Sequence, residues 1–200
     1  MNTMKDVLIH YMKRFSDLSE SELRKLTIDI PVATFKKGTI LLQQGEVPDK
    51  CYFILKGCVR LYGVDEHGNE NTYNFFTEEQ SVTIFNQHNP DKVSPYSLSC
   101  LEDCTLIVGD LSTEQEAYDM HPVLEELTRK MIEEDLGAMR DDFSSFISST
   151  PEERYQNVMK KRPDLIDRVP QYQLASYLGI TPESLSRIKK RSIANLRVVD

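Results

Sequence analysis

The 200-residue chain lacks any apolar run of membrane-spanning length. Its first twenty residues, MNTMKDVLIHYMKRFSDLSE, are amphipathic and contain acids, unlike a secretory signal. These absences predict a soluble, cytoplasmic protein with no membrane partner. No CxxC pair occurs among the four cysteines, Cys51, Cys58, Cys100 and Cys104, and no cysteine cluster lies near the N-terminus. A zinc or iron–sulfur site needs a tighter ligand set, so no metal or other cofactor is expected. Buried, reduced thiols fit the apolar surroundings, whereas a redox-sensing role would need an exposed and activated thiolate. The histidines, His10, His67, His88 and His121, are scattered. No His-x-His with a downstream glutamate and no Ser/His/Asp or Cys/His arrangement can be assembled from spacing, so an enzyme is not expected.

Excess positive charge is missing as well. With 24 basic and 32 acidic residues the net charge is −8, which by itself argues against nucleic acid. The average hides an asymmetry, however. From Pro151 onward ten basic residues face six acidic ones, a net of +4, and the preceding 150 residues carry −12. A basic tail on an acidic body suits a chain with one end directed at phosphate. A solvated charged surface would show the same count.

Within that tail, PQYQLASYLGITPESLSRIKKR (Pro170–Arg191) reads as two short helices around a tight turn. Gln171–Leu178 places Leu174, Ala175 and Leu178 on one face. Gly179 stands where a helix end favours a residue free to take positive φ. Thr181 is a good N-cap, Pro182 fits the first helical position, and Glu183 lies in the first turn. The next helix turns Leu185 and Ile188 inward and Glu183, Ser184, Ser186, Arg187, Lys190 and Arg191 outward. A helix-turn-helix, which lays its second helix in the DNA major groove, has this pattern. An ordinary helical hairpin shares much of it.

Upstream, residues 4–26 read as one or two helices, with Val7, Leu8, Tyr11, Met12 and Phe15 at helical spacing and Ser19 and Glu22 at capping-box spacing. From Ile28 to about Leu111 the period shortens. TILLQQGE, CYFILKG, CVRLYGVD, NTYNFF, YSLSCLE and CTLIVGD are strand-like runs between turn residues, as in an all-β sandwich or barrel. The turn Asp65–Asn69 should join Cys58–Val64 and Glu70–Phe76 in a hairpin. From about Thr113 to Ser149 the text is helical, with Leu124, Leu127, Met131, Ile132, Leu136, Met139, Phe143, Phe146 and Ile147 three or four residues apart. Such a stripe either packs on its symmetry mate or covers the β domain. Ser148–Pro151 is the natural hinge, with Thr150 as cap and Pro151 at the first position of the next helix, Glu152–Lys161.

Four groups of residues, Phe35-x-x-Gly38, Gly45-Glu46, Tyr52-x-Ile54-x-x-Gly57-x-Val59-Arg60 and Asp65-Glu66-x-Gly68-x-Glu70, give the chain its family likeness. It resembles the catabolite-activator and fumarate–nitrate-regulator (Crp/Fnr) family of transcription factors over nearly its whole length. The glycines fall where a β-roll must turn its corners. The resemblance implies an α+β fold. A cyclic-nucleotide-binding-like β-roll (jelly roll) with its N-terminal helices would span 1–111, a long dimerisation helix and hinge 112–149, and a helix-turn-helix domain 150–200. It also implies a homodimer, double-stranded DNA as partner, RNA polymerase as a further candidate partner, and an effector, unknown or absent, sensed through the β-roll.

Two departures from the family pattern qualify what is expected. Members that bind cyclic AMP carry a glycine turn and an arginine followed by a small hydroxyl residue, which together hold the phosphate. The corresponding stretch here, Glu78-Glu79-Gln80-Ser81 through Lys92-Val93-Ser94-Pro95-Tyr96, has neither. Cyclic AMP is therefore not the expected effector. Only Ser192–Asp200 would follow the recognition helix, so the family's β-hairpin wing is expected to be truncated or absent. In the family the recognition helix presents an Arg-Glu pair and a further Arg one turn on. Glu183 and Arg187 match two of these, and Pro182 replaces the first arginine. A carboxylate accepts from cytosine N4, and arginine donates to guanine O6 and N7. An exposed helix ion pair is the alternative role for the two. Thr181, Ser184, Ser186 and Lys190 would contact bases or phosphate, and Gln171, at the start of the first helix, would touch the DNA backbone. Lys189 and Arg191 would add phosphate attraction. A ligand-binding or scaffold module of the same fold that has lost DNA binding is the competing function.

Overall fold

The computed structural model describes residues 4–84 and 91–196 and, for 193–196, the backbone alone. Two helices open the chain, α1 (Asp6–Met12) and α2 (Glu20–Thr27). Ser19 and Glu22 cap α2 reciprocally. Ser19 N–H donates to Glu22 Oε2 at 2.8 Å, and Glu22 N–H donates to Ser19 Oγ at 3.4 Å.

Eight strands follow: β1 (Val32–Phe35), β2 (Ile40–Leu42), β3 (Lys50–Lys56), β4 (Val59–Val64), β5 (Glu70–Phe76), β6 (Ser81–Thr83), β7 (Ser97–Cys100) and β8 (Cys104–Asp110). They form two antiparallel sheets, ordered β1-β8-β3-β6 and β2-β7-β4-β5. The expected hairpin is β4–β5, with Val59 opposite Phe76 and Val64 opposite Glu70. The six strand-like runs omit β1 and β6, which pairing with β8 and β3 holds in place.

Between the sheets Leu42, Tyr52, Ile54, Val59, Val82, Leu98, Cys100, Cys104 and Leu106 form one apolar core. On the far side of β3, Phe53 and Leu55 meet Leu8, Ile9, Tyr11, Met12 and Leu23 of the opening helices, together with Leu127. β3 is thus buried on both faces, which explains its unbroken apolar run. Gly57 turns the chain from β3 into β4 with φ +115°. A Cβ there would stand 2.5 Å from Cys104 Sγ and 2.8 Å from its Cα, so only glycine fits.

The helical region after β8 is two helices, α3 (Glu114–Met120) and α4 (Pro122–Ser148). They break at His121, because Pro122 disfavours helical geometry in the residue before it. α4 is 27 residues long. Then come α5 (Pro151–Lys161), α6 (Leu165–Arg168), α7 (Gln171–Tyr177) and α8 (Pro182–Leu196). Thr150 caps α5 as expected, and Glu153 completes a capping box: Thr150 N–H donates to Glu153 Oε2 at 2.7 Å. No described helix is long and apolar enough to cross a membrane.

Candidate nucleic-acid interface

The helix-turn-helix is formed by α7 and α8. Leu174, Ala175, Leu178, Leu185 and Ile188 are buried together with Tyr155, Val158, Leu165, Ile166 and Val169. The turn ends α7 in a Schellman motif. Gly179 N–H donates to the Ser176 carbonyl and Ile180 N–H to the Ala175 carbonyl, each at 3.0 Å, with Gly179 at φ +68°. Arg154 of α5 braces this turn. Its Nη1 donates to the Leu178 carbonyl at 3.1 Å, its Nε to the Phe146 carbonyl at 3.0 Å, and its guanidinium lies 3.8 Å over the Phe146 ring.

α8 begins as its sequence implies. Ser184 N–H donates to Thr181 Oγ1 at 3.3 Å, and Arg187 Nη2 donates to Ser184 Oγ at 3.0 Å. Thr181, Glu183, Ser186, Arg187 and Lys190 are exposed, and Ser184 is half-buried. The backbone amide of its own turn and the Thr181 hydroxyl hold the Glu183 carboxyl below its ordinary value, with Arg187 a smaller aid. Among the described residues no ion pair joins Glu183 to Arg187, so both side chains project separately from one face.

The other cations are differently placed. Lys189 is half-buried, and its Nζ donates to Gln171 Oε1, so this pair links α8 to the start of α7. Gln171 Nε2 reaches the Ile166 carbonyl at 3.4 Å. Arg191 pairs with Glu152 of α5 at 3.3 Å. Of the three basic residues expected to draw phosphate, Lys190 alone stands on α8 with no protein hydrogen bond or ion pair among the described residues. α8 also runs five residues further than expected, to Leu196, because nothing in Ser192–Leu196 breaks a helix. Among the described residues no strand follows it. Two exposed or interdomain features escaped the sequence reading. Tyr172 is exposed beside Gln171 on α7, and Arg168 ties the helical domain to the β-roll.

The β-roll's interior is apolar among the described residues. Segment 85–90, which includes His88 and part of the stretch compared with the family's phosphate site, lies outside them. Glu79 in the β5–β6 turn has φ +63°, a conformation glycine adopts more cheaply. All four cysteines are free; Cys58, Cys100 and Cys104 are buried and Cys51 is half-buried. Burial pushes the Cys58 thiol up to about 12 and raises Cys51 too. The hydrogen bond with Cys104, then burial, keeps the Cys100 thiol protonated. No described trio of histidine, cysteine or acid is arranged to hold a metal.

A β-roll, a long helix and a helix-turn-helix follow one another in one chain. Residues 32–118 match the cyclic nucleotide-binding domain family. The structure is similar to that of FixK2 from Bradyrhizobium japonicum, at 16% identity and a TM-score of 0.68, covering 83% of this chain and 85% of that one. It is similar to the c-di-GMP responsive global regulator CLP of Xanthomonas campestris, at 15% identity and a TM-score of 0.63, covering 88% and 93%. A putative cyclic nucleotide binding protein from Ruegeria pomeroyi gives 19% identity and a TM-score of 0.62, covering 96% and 89%. No curated protein sequence matches the chain. Over residues 32–118 the chain thus resembles cyclic nucleotide-binding domains, and its fold is that of the solved proteins named above.

Proposed function

We propose that the chain is a homodimeric, sequence-specific regulator of transcription that reads double-stranded DNA with α8. The observation that carries this reading is the exposed Glu183–Arg187 pair. It is held on a capped helix whose other face, Leu185 and Ile188, packs on α7. Arg187 donates to guanine and Glu183 accepts from cytosine. Thr181, Ser184, Ser186 and Lys190 contact bases or phosphate, and Gln171, steadied by Lys189, contacts the backbone. The chain divides into a sensor (1–111), a dimerisation helix with hinge (112–149) and a DNA-binding domain (150–200).

Dimerisation is supported by the outer face of α4, where Leu136, Met139, Phe143 and Ile147 are each 59–65% exposed. A second copy would cover them, as in a two-helix seam. An effector, if the chain has one, acts through the β-roll and is not cyclic AMP, because residues 78–96 contain neither glycine nor arginine to hold a phosphate. RNA polymerase is a further candidate partner.

Mobility shift against a library of genomic fragments tests the reading. Some fragments should bind well above random DNA. Arg187→Ala should cost about 1–3 kcal/mol on those fragments and flatten the preference. Binding that never exceeds random DNA would sink the proposal, and equal losses on all sequences would remove Arg187 from base readout.

A further inference from the structure

The outer face of the β2-β7-β4-β5 sheet is not free. α7 lies along β5, and the two share a buried apolar patch in which Cys58 and Phe75 join the helix-turn-helix core. Phe75 and Tyr177 meet edge to face with ring centroids 5.3 Å apart. Polar contacts frame the patch. Thr72 N–H donates to Ser176 Oγ at 2.9 Å, and Arg162 Nη2 donates to the Phe75 carbonyl at 2.7 Å.

At one edge stands a tighter device. Arg168 closes α6 and grips Glu78 bidentately, Nη1 to Oε2 at 2.8 Å and Nη2 to Oε1 at 2.9 Å. Its Nη2 also reaches Glu102 Oε1. Glu78 Oε1 in turn accepts from Gly57 N–H at 2.8 Å. One side chain thus gathers the β3–β4 corner, the β5–β6 turn and the β7–β8 turn. Burial opposes the Glu78 charge, but Arg168 and the Gly57 amide outweigh it and hold the carboxyl below its ordinary value. A bidentate arginine–carboxylate pair of this kind fixes orientation as well as supplying energy.

Glu78 occupies an informative position. It precedes Glu79, the strained residue of the turn, and three residues later the chain enters β6. Among the described residues α8 has no comparable hold on the sheets, so its outer face stays open while α7 is docked.

We propose that Arg168 is a positioning residue that couples the Glu78–Glu79 turn of the sensor directly to the helix-turn-helix of the same chain, by a route separate from α4. Movement of that turn withdraws Glu78, releases Arg168 and loosens α7 from β5. The docking stands independently of the DNA-binding reading, and only its consequence for DNA rests on that reading.

Hydrogen exchange on the full chain, without DNA, tests it. Arg168→Met and Glu78→Gln should each speed exchange of the amides of α7 and of the outer edge of β5 by about tenfold, while β3 and β8 stay protected. The double variant should be no worse than the worse single one, because both remove one device. Unchanged exchange in the singles, or effects that add in the double, would overturn the coupling. Should either single lose protection in β3 and β8 as well, Glu102→Gln, which removes only the second carboxylate, should give a smaller rise confined to the same amides. Loss of the whole roll in that variant also overturns the proposal. Failure of the DNA assay with this exchange pattern intact would refute only the DNA reading.

Discussion

The two ends of α4 carry comparable apolar side chains and meet different surroundings. Near its start, Val123, Leu124, Leu127 and Met131 pack on α1, α2 and β3, and Leu127 is only 2% exposed. Further on, Ile132, Leu136, Met139, Phe143 and Ile147 are all exposed. At 3.6 residues per turn the two sets are centred roughly 140° apart around the axis. What reads in the sequence as one stripe is two faces. The first covers the roll, as one of the two expectations had it. The second points away and is the surface assigned above to a second copy.

Substitutions in the two faces should therefore behave differently. Leu127→Ala leaves a cavity between α4, α1 and β3 and should cost about 2–5 kcal/mol of folding stability, read by urea denaturation. A loss below 1 kcal/mol would mean that α4 does not seal the roll. Phe143→Ser removes nothing from the monomer's core. It should weaken self-association by about 2 kcal/mol, roughly thirtyfold in dissociation constant, while leaving the cooperativity of unfolding intact. Sedimentation velocity across a dilution series reads this. A wild-type chain that sediments as a monomer at all concentrations defeats the assignment of the outer face.

Where local chemistry decides structure, the sequence was legible. Ser19 with Glu22, Thr150 with Pro151, Gly179, and the β4–β5 turn each carry their signal within a few residues, and each is found as expected. β1 and β6 are four and three residues long, too short for alternation to register, and owe their form to β8 and β3. The phase drift along α4 is present in the sequence but shows only when the angle of each residue is followed rather than its spacing. In the candidate site, α8's outward face was readable because one helix presents it. The partners of Lys189 and Arg191, Gln171 and Glu152, are 18 and 39 positions away, so these pairings have no local signal. The Arg168–Glu78 grip, across 90 residues, leaves no local trace at all.

Arg154 joins the outward half of α4 to the helix-turn-helix. It supplies two hydrogen bonds to carbonyls that end helices, and it stacks on Phe146. Arg154→Ala should cost about 1–2 kcal/mol and speed exchange at Gly179 and Ile180, with Leu127 and its neighbours undisturbed. A thermal melt combined with residue-level exchange separates these effects. A change spread evenly over the roll would mean that Arg154 supports the fold at large rather than this joint.

The smallest effect belongs to the residue at the hand-over between the two faces. Asp135 is half-buried and accepts a hydrogen bond from Tyr11 Oη at 3.4 Å. Burial raises its carboxyl above the ordinary value of 3.8, and the neighbouring Glu134 charge adds to this, while the Tyr11 and Ser81 hydroxyls and Arg14 oppose it. A carboxyl raised on folding favours the folded state while protonated. That contribution is complete below its unfolded value and is lost as pH rises through the folded one. Asp135→Asn removes the titration and keeps an acceptor for Tyr11. The variant should therefore gain on the wild type as pH rises from the ordinary carboxyl value through the raised one, with the two stability curves parallel once the wild-type carboxyl has ionised. Urea midpoints at half-unit pH steps measure the difference. A difference between variant and wild type that stays constant over the whole range, or that moves in the wild type's favour as pH rises, would show that the charge on Asp135 is not what the α1–α4 contact must accommodate.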